Sequence, residues 1–262
     1  MTTTSHAVTD SATMLRRNLR HVLRFPDVLV MSLGLPVILL LLFVGVFGSA
    51  LGAGLGGAAR GGDYVDYLVP GIITMSVGYG ATTTALAVNK DMTEGVIARF
   101  RTMAIFRPAV LVGHVVAAAV RTMVSTGLVI AVSLLLGFRP AAGPAGWFAA
   151  IGVLALLVLA LTWLAVAIGL AARNAEGVSL FTLLVQVLPF TSSAFVPPDS
   201  MSGVLRWFAE NEPFTPVIDT MRGLLLGTPV GGSAVAAVAW CTGLAVAGFL
   251  WATALFRRDP TR

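Results

Sequence analysis

Charge is what this chain has least of. Only 11% of its 262 residues are Asp, Glu, Lys or Arg, while 57% are hydrophobic; a soluble domain carries about 25% charged residues. That is too little charge to cover a water-facing surface, so most of the exterior must face lipid. Cysteine is nearly missing as well. Cys241 alone excludes an intramolecular disulfide and any thiolate metal cluster, and reads as a buried, inert thiol. Histidine is sparse: His6, His21 and His114 are scattered, with no His-x-x-x-His pair for zinc. No Gly-x-Ser-x-Gly elbow occurs. The only lysine, Lys90, sits in Ala87-Val88-Asn89-Lys90-Asp91, without the glycines that cradle phosphate in a Walker A loop. An intramembrane enzyme would need convergent polar catalytic groups, and none is visible. No metal, cofactor or catalytic residue is assigned to this chain. If ATP drives it, another chain hydrolyses the ATP.

What is present is apolar sequence in long runs. A helix needs about 20 mostly apolar residues to cross the hydrocarbon core. Six candidate spans occur: Val28–Phe47, Leu68–Val88, Ala118–Leu136, Trp147–Leu170, Val178–Val196 and Ser233–Phe256. The expected architecture is an all-α polytopic membrane protein. Residues 1–27 form an N-terminal tail with an amphipathic connecting helix, and residues 28–262 form the transmembrane domain. The first run is longer than the 7–15 residues of a signal-peptide core, so it reads as a retained span. With both termini inside, the inner connectors hold Arg16, Arg17, Arg20, Arg24, Lys90, Arg99, Arg101, Arg107, Arg173, Arg257, Arg258 and Arg262. The outer ones hold only Arg60, Arg139, Arg206 and Arg222. That asymmetry orients both termini to the cytoplasm and places the protein in the plasma membrane. The formal net charge of +5 is dispersed over membrane-edge segments rather than gathered in a groove, which excludes a nucleic-acid partner.

The connectors have character of their own. From Asp10 to Phe25, Leu15, Leu19, Val22 and Leu23 share a helical face beside Arg16, Arg20 and Arg24, the pattern of a helix lying in the headgroup plane. The stretch Gly48–Asp66 is glycine-rich and reads as a flexible loop. After the second span, Met92, Val96, Phe100 and Met103 fall on one face of a short amphipathic helix rimmed by Lys90, Asp91, Glu94, Arg99 and Arg101. Such a helix can dock in a partner's groove or lie passively at the interface. Helix is expected to run continuously from Pro108 to Leu136, which puts Arg121 inside an apolar run. At the bilayer centre it would cost about 2.5–3.5 kcal/mol. It either snorkels to the inner interface or pairs with Glu94 or Glu176. Between Pro197 and Gly232 two short apolar helices are expected, Val204–Ala209 and Val217–Leu226. Neither is long enough to cross, so they read as re-entrant or interfacial, under an outer cap made acidic by Asp199, Glu210, Glu212 and Asp219.

Polar side chains inside the spans mark partners or water, because an unpaired amide in lipid costs several kcal/mol. In span five, Ser179, Thr182, Gln186 and Ser193 repeat at helical spacing; in span two, Tyr79 and Thr83 lie four apart. These six are the candidate translocation seam or subunit interface, with plain helix–helix hydrogen bonding as the other reading.

Two stretches resemble one family. Asn89-Lys90-Asp91-Met92-Thr93-Glu94-Gly95-Val96-Ile97-Ala98-Arg99-Phe100-Arg101 is similar to the segment after the second span of ABC-2 type permeases of the daunorubicin-resistance branch. Ser192-Ser193-Ala194-Phe195-Val196-Pro197-Pro198, followed by Trp207-Phe208-Ala209-Glu210-Asn211-Glu212-Pro213 and Thr215-Pro216, resembles that family's outer segment. The resemblance runs from about residue 12 through nearly the whole chain. It implies a homodimer of permeases, each copy bound to a cytoplasmic ATPase subunit that carries ATP and magnesium, two copies in all. It also implies that Asp91, Glu94, Gly95, Arg99, Phe100 and Arg101 belong to a coupling helix seated on the ATPase, and that the short helices at 200–226 form an outer gate. The expected function is export of hydrophobic or amphiphilic small molecules such as antibiotics from the surrounding lipid. Export of a lipid-linked glycan or lipid is the alternative. A carbohydrate channel should show more aromatic lining than Tyr79, Phe181, Phe190 and Phe195 provide.

Overall fold

The computed structural model describes residues 26–46, 64–94, 107–172 and 174–257. Among them the secondary structure is helical. In chain order the helices are α1 (Pro26–Gly45), α2 (Tyr64–Thr93), α3 (Arg107–Leu135), α4 (Pro144–Ala171), α5 (Ala175–Val187), α6 (Gly203–Asn211), α7 (Phe214–Leu226) and α8 (Ser233–Arg257). A 3-10 turn, Leu188–Thr191, prolongs α5. The expected amphipathic helix at 10–25, and the docking face carried by Val96, Phe100 and Met103, lie outside the described residues.

Local chemistry accounts for most boundaries. Proline at the first helical position, where no N–H partner is needed, opens α4 at Pro144 and sits one residue inside α3 at Pro108. Asn174 caps α5 by accepting the Gly177 N–H at 3.0 Å. Gly227, at φ +69°, ends α7 in the left-handed conformation that glycine adopts without penalty.

Among the described residues, four helices are long and apolar enough to cross a bilayer: Tyr64–Thr93, Val115–Leu135, Pro144–Ala171 and Ser233–Phe256. Two shorter apolar stretches, Gly34–Gly45 and Ala175–Thr191, correspond to the first and fifth expected spans. The continuous helix expected from Pro108 is present, as are the two short helices at 203–226. The fifth run departs from expectation. Its apolar sequence continues to Val196, but α-helix stops at Val187 and a turn occupies residues 192–195. Pro189 supplies no N–H to continue the helical ladder, and its ring crowds the preceding turn.

The second helix also exceeds its expected length at both ends. Its 30 residues span about 45 Å, so Asn89–Thr93, read from sequence as connector, extend the membrane helix directly. This helix is the centre of the bundle. It packs against α1, α3, α4, α5 and α7, and the apolar window within it is 78% buried. Small residues make that possible. A β-carbon on Gly71 would sit 2.7 Å from Ala194 Cβ and 2.8 Å from its Cα, so the turn after α5 rests on bare backbone. Gly80 faces Thr122 of α3 with no room for a side chain. Against α2 lies α4, whose other side carries α8 in the most extensive helix pair of the structure. There Gly248 approaches the Leu164 backbone so that a β-carbon would lie 2.7 Å from its nitrogen.

This packing predicts opposite outcomes for two glycine substitutions. Gly71→Ala must displace backbone at Ala194 and is expected to cost about 1–3 kcal/mol. Gly243→Ala points into open space and should be neutral or slightly stabilising, since alanine favours helix. Thermal unfolding of the two variants in one detergent checks this: a clear fall in Tm for the first and none for the second.

Candidate functional site

The polar residues singled out in the sequence divide among three places in the structure. Along α5, Ser179 is exposed and donates to the Ala175 carbonyl at 3.3 Å, while half-buried Thr182 donates to Val178 at 3.2 Å. Gln186 is half-buried. Around them Leu180, Leu183, Leu184 and Val187 are exposed. Three of the four residues therefore stay on the outer flank of one short helix. Ser193 does not join them. Because the helix ends before it, Ser193 is buried in the following turn and belongs to a different cluster.

That cluster was not assembled from the sequence. It lies where the first turn of α2 meets α7 and the turn after α5, at the end of the bundle opposite Lys90. Arg222 is its hub. The guanidinium lies 3.9 Å over the Tyr67 ring. Nη1 donates to Asp219 Oδ1 at 2.6 Å and Nη2 to the Ser193 carbonyl at 2.8 Å, while Nε reaches the Tyr67 carbonyl at 3.3 Å. Tyr67 Oη donates to the same Ser193 carbonyl at 3.0 Å, and Ser193 Oγ donates to Asp219 Oδ1 at 2.7 Å. The Ser193 N–H goes to Thr215 Oγ1 at 3.1 Å. Backbone and side chains of three segments thus converge on one cation. The Arg222 side chain is 16% exposed, so these contacts are poorly screened and stronger than a surface pair. The signal available in the sequence was Asp219 and Arg222 three apart on a helix.

The acidic cap is likewise internally paired. Arg206 holds Asp199 and Glu210, each at 2.7 Å, on the exposed helix α6. Glu212 is 4% exposed and caps α7, with Oε2 accepting the Phe214 N–H at 2.9 Å and Oε1 the Thr215 N–H. Burial raises its pKa from 4.5 to about 7; the two backbone N–H donors pull the other way and are outweighed.

The third place is the open side of α2 toward its Lys90 end. Tyr79 and Thr83 are half-buried there, in a helix otherwise almost enclosed. Arg121 of α3 reaches Thr83. Neither Glu94 nor Glu176 pairs with it, contrary to one sequence reading. Its Nη2 donates instead to Thr83 Oγ1 at 3.2 Å and Thr84 Oγ1 at 3.0 Å. Glu94 lies 3.7 Å from Lys90, both side chains more than half exposed, and Glu176 is exposed in the first turn of α5. Of the other docking candidates Asp91 is half-buried on α2, while Gly95, Arg99, Phe100 and Arg101 lie outside the described residues. At that same end Asn89 donates to the Ala172 carbonyl at 2.7 Å and ties α2 to the end of α4. Among the described residues, no three His, Cys, Asp or Glu side chains gather as a metal site.

An enclosed polar helix, crossing partners and a pinned cap of short helices define a multi-pass helical membrane protein. The family model for "ABC-2 type transporter" matches residues 10–226, and the chain belongs to that family. It is 30% identical, over 85% of its length and 77% of the relative's, to a daunorubicin resistance ABC transporter permease protein (DrrB1) of Streptomyces coeruleorubidus. A probable doxorubicin resistance ABC transporter permease protein (DrrC) of Mycobacterium tuberculosis (strain ATCC 25618 / H37Rv) is 26% identical over 68% of this chain and 65% of its own. Nodulation protein J of Rhizobium meliloti (strain 1021) is 29% identical over 79% of this chain and 80% of its own.

Two predictions follow the cap. Arg222→Leu leaves Asp219, Ser193 and Tyr67 without their common donor and should destabilise the attachment of α7 by about 2–4 kcal/mol. Hydrogen exchange in 214–226 should accelerate accordingly while α4 and α8 stay protected. Arg222→Lys should rescue little, because an ammonium cannot serve this planar set of acceptors. The second concerns pH. Glu212 binds its proton more tightly when folded than when unfolded, so its stabilising contribution is complete below about pH 4.5. It is lost as pH rises through about 7 and changes no further above that. Exchange protection of Phe214 and Thr215, corrected for intrinsic rates, should therefore fall between those limits, and Glu212→Gln should flatten the profile.

Proposed function

We propose that this chain is the membrane-spanning permease subunit of an ATP-binding cassette exporter that moves hydrophobic or amphiphilic small molecules, drugs or antibiotics among them, out of the cell. The names of the daunorubicin and doxorubicin resistance relatives support the cargo class. A separate cytoplasmic ATPase, present in two copies and carrying ATP and magnesium, supplies the energy. Two permease copies form the gate. Each has six spans with both termini in the cytoplasm of a plasma-membrane protein, and α1 and α5 count as the first and fifth.

The observation that carries this reading is the length and placement of α2. One uninterrupted helix joins Lys90, at the edge of the proposed docking segment, to Tyr67, which is bonded into the cap. In this reading, force delivered to the Lys90 end of α2 passes along that helix, which carries Pro70 near its start, to the cap. In this mechanism Asp91, Glu94, Gly95, Arg99, Phe100 and Arg101 receive the motor. Tyr79, Thr83, Ser179, Thr182, Gln186 and Ser193 belong to the seam or to the contacts that control it. Nucleotide would bias a two-state equilibrium between closed and outward-open arrangements.

The test is reversal of charge at the docking segment. Glu94→Lys together with Arg101→Glu should release the co-purifying ATPase and abolish ATP-driven transport in proteoliposomes. The unfolding midpoint should barely change, because the Glu94–Lys90 contact is an exposed pair of small worth. Undiminished co-purification would remove the docking assignment. Uphill transport by the lone chain supplied with ATP would end the proposal.

A further inference from the structure

Arg121 carries a charge that no carboxylate among the described residues neutralises. Its place is set by α3, on which it lies six residues beyond Val115, where the apolar run begins. That puts it about 9 Å inside the span. The two threonines behind it are committed in a particular way. Thr83 Oγ1 donates to the Gly80 carbonyl at 2.9 Å and Thr84 Oγ1 donates to the same carbonyl at 2.8 Å. Both hydroxyl protons are spent, so each oxygen offers only lone pairs, and both receive Arg121 Nη2. One nitrogen of the guanidinium is thus fixed in place. Nε–H and the two N–H bonds of Nη1 have no acceptor among the described residues, although a guanidinium has five donors to satisfy. Gly80 keeps α2 and α3 close enough for this arrangement to form.

The surroundings define what would complete the site. Arg121 and Thr83 are half-buried, so the pair keeps some surface open to its surroundings. On α3, Val124 and Leu128 follow at helical spacing toward the middle of the bilayer and are 50% and 45% exposed. A cation at this depth with unspent donors favours an anion, since charged hydrogen bonds are the strong ones. A fully hydrated anion would have to be stripped of water to reach it, which an apolar tail running over Val124 and Leu128 offsets.

We propose that Arg121, braced by Thr83 and Thr84, binds the acidic head group of an amphiphile, a carboxylate or a phosphate, whose tail lies along α3. The site exists independently of the export reading, and its test is binding rather than transport. Full-length chain in neutral detergent is exposed to phosphatidylglycerol against phosphatidylcholine, and to oleate against methyl oleate, and retention is read by native mass spectrometry. Wild type should prefer the acidic member of at least one pair by about tenfold. Arg121→Gln should erase the preference, and Arg121→Lys should keep part of it. Preference confined to phosphatidylglycerol identifies a bilayer lipid as the ligand; preference for oleate identifies an acidic cargo. Equal retention within both pairs by wild type, or a preference undiminished in Arg121→Gln, overturns the site. Should the glutamine variant fail to fold, wild type photolabelled with a diazirine fatty acid must carry label within residues 112–128, and label found only elsewhere overturns it as well.

Discussion

A membrane helix surrounded by other helices has to satisfy its own hydrogen bonds while letting its neighbours approach its backbone, and α2 is shaped by that pair of demands. Lipid supplies neither donors nor acceptors. Close approach requires small side chains, of which glycine leaves no polar atom and serine or threonine leaves one. In α2 those hydroxyls are returned to the helix itself: Thr74 to Pro70, Ser76 to Ile73, Thr82 to Gly78, and Thr83 and Thr84 to Gly80. Once a hydroxyl proton is spent internally, its oxygen can only accept. Arg121 uses that remaining capacity at Thr83 and Thr84. Ser76 shares a hydrogen bond with Thr126 of α3 at 2.9 Å, so the α2–α3 contact is hydrogen-bonded at two levels, with the buried, unpaired Thr122 hydroxyl against Gly80 between them.

At the cap the same economy works through charge. Arg222 has donors enough to gather two backbone carbonyls and a carboxylate, and those acceptors come from the start of α2, the turn after α5 and α7. α7 already buries Phe214, Val217, Ile218, Met221 and Leu225 in the main core, and Arg222, a cation with several donors, adds a directional fastening to that packing. Its contacts are directional and fail together when the acceptors move apart. Hydrophobic packing would instead weaken gradually with separation. A cap fastened this way is held by contacts that are lost together rather than one by one.

The broad architecture was readable because apolar run length is a direct consequence of bilayer thickness, and five of the six runs became helices close to where they were placed. The interior was less readable, for reasons visible at individual residues. Hydropathy marks Tyr64, Asp66 and Asn89 as connector, yet all three are helical, since helix is decided by backbone bonding and neighbours rather than by apolarity alone. Pro189 lies within an apolar run and ends the fifth helix, which puts Ser193 in the Arg222 cluster rather than in line with Ser179, Thr182 and Gln186. Arg222 and Asp219 looked like topology and acidity signals because charge asymmetry averages over connectors and says nothing of who meets whom. Apolar neighbours mark Arg121 as out of place, but charge pattern offers only snorkelling or a carboxylate partner for it; hydroxyls on a helix reached through Gly80 leave no trace there.

Where the bundle can move follows from how its parts are joined. Close glycine contacts weld α2 to α4 and α4 to α8, through Gly169 against the Ala85 carbonyl and Gly248 against Leu164, and Asn89 locks the far end. Sliding there would force backbone through backbone. By contrast, α5 touches α4 only slightly and leans on α2 through a few side chains, Val185 on Gly78 among them. Its outer flank of Leu180, Leu183 and Leu184 is exposed among the described residues. Among the described residues α5 is therefore packed less extensively than α4 or α8. The rigid body is therefore α2 with α4 and α8. The turn after α5 belongs with it, held against Gly71 and through Ser193 in the Arg222 cluster, and α5 is the more loosely packed element beside it.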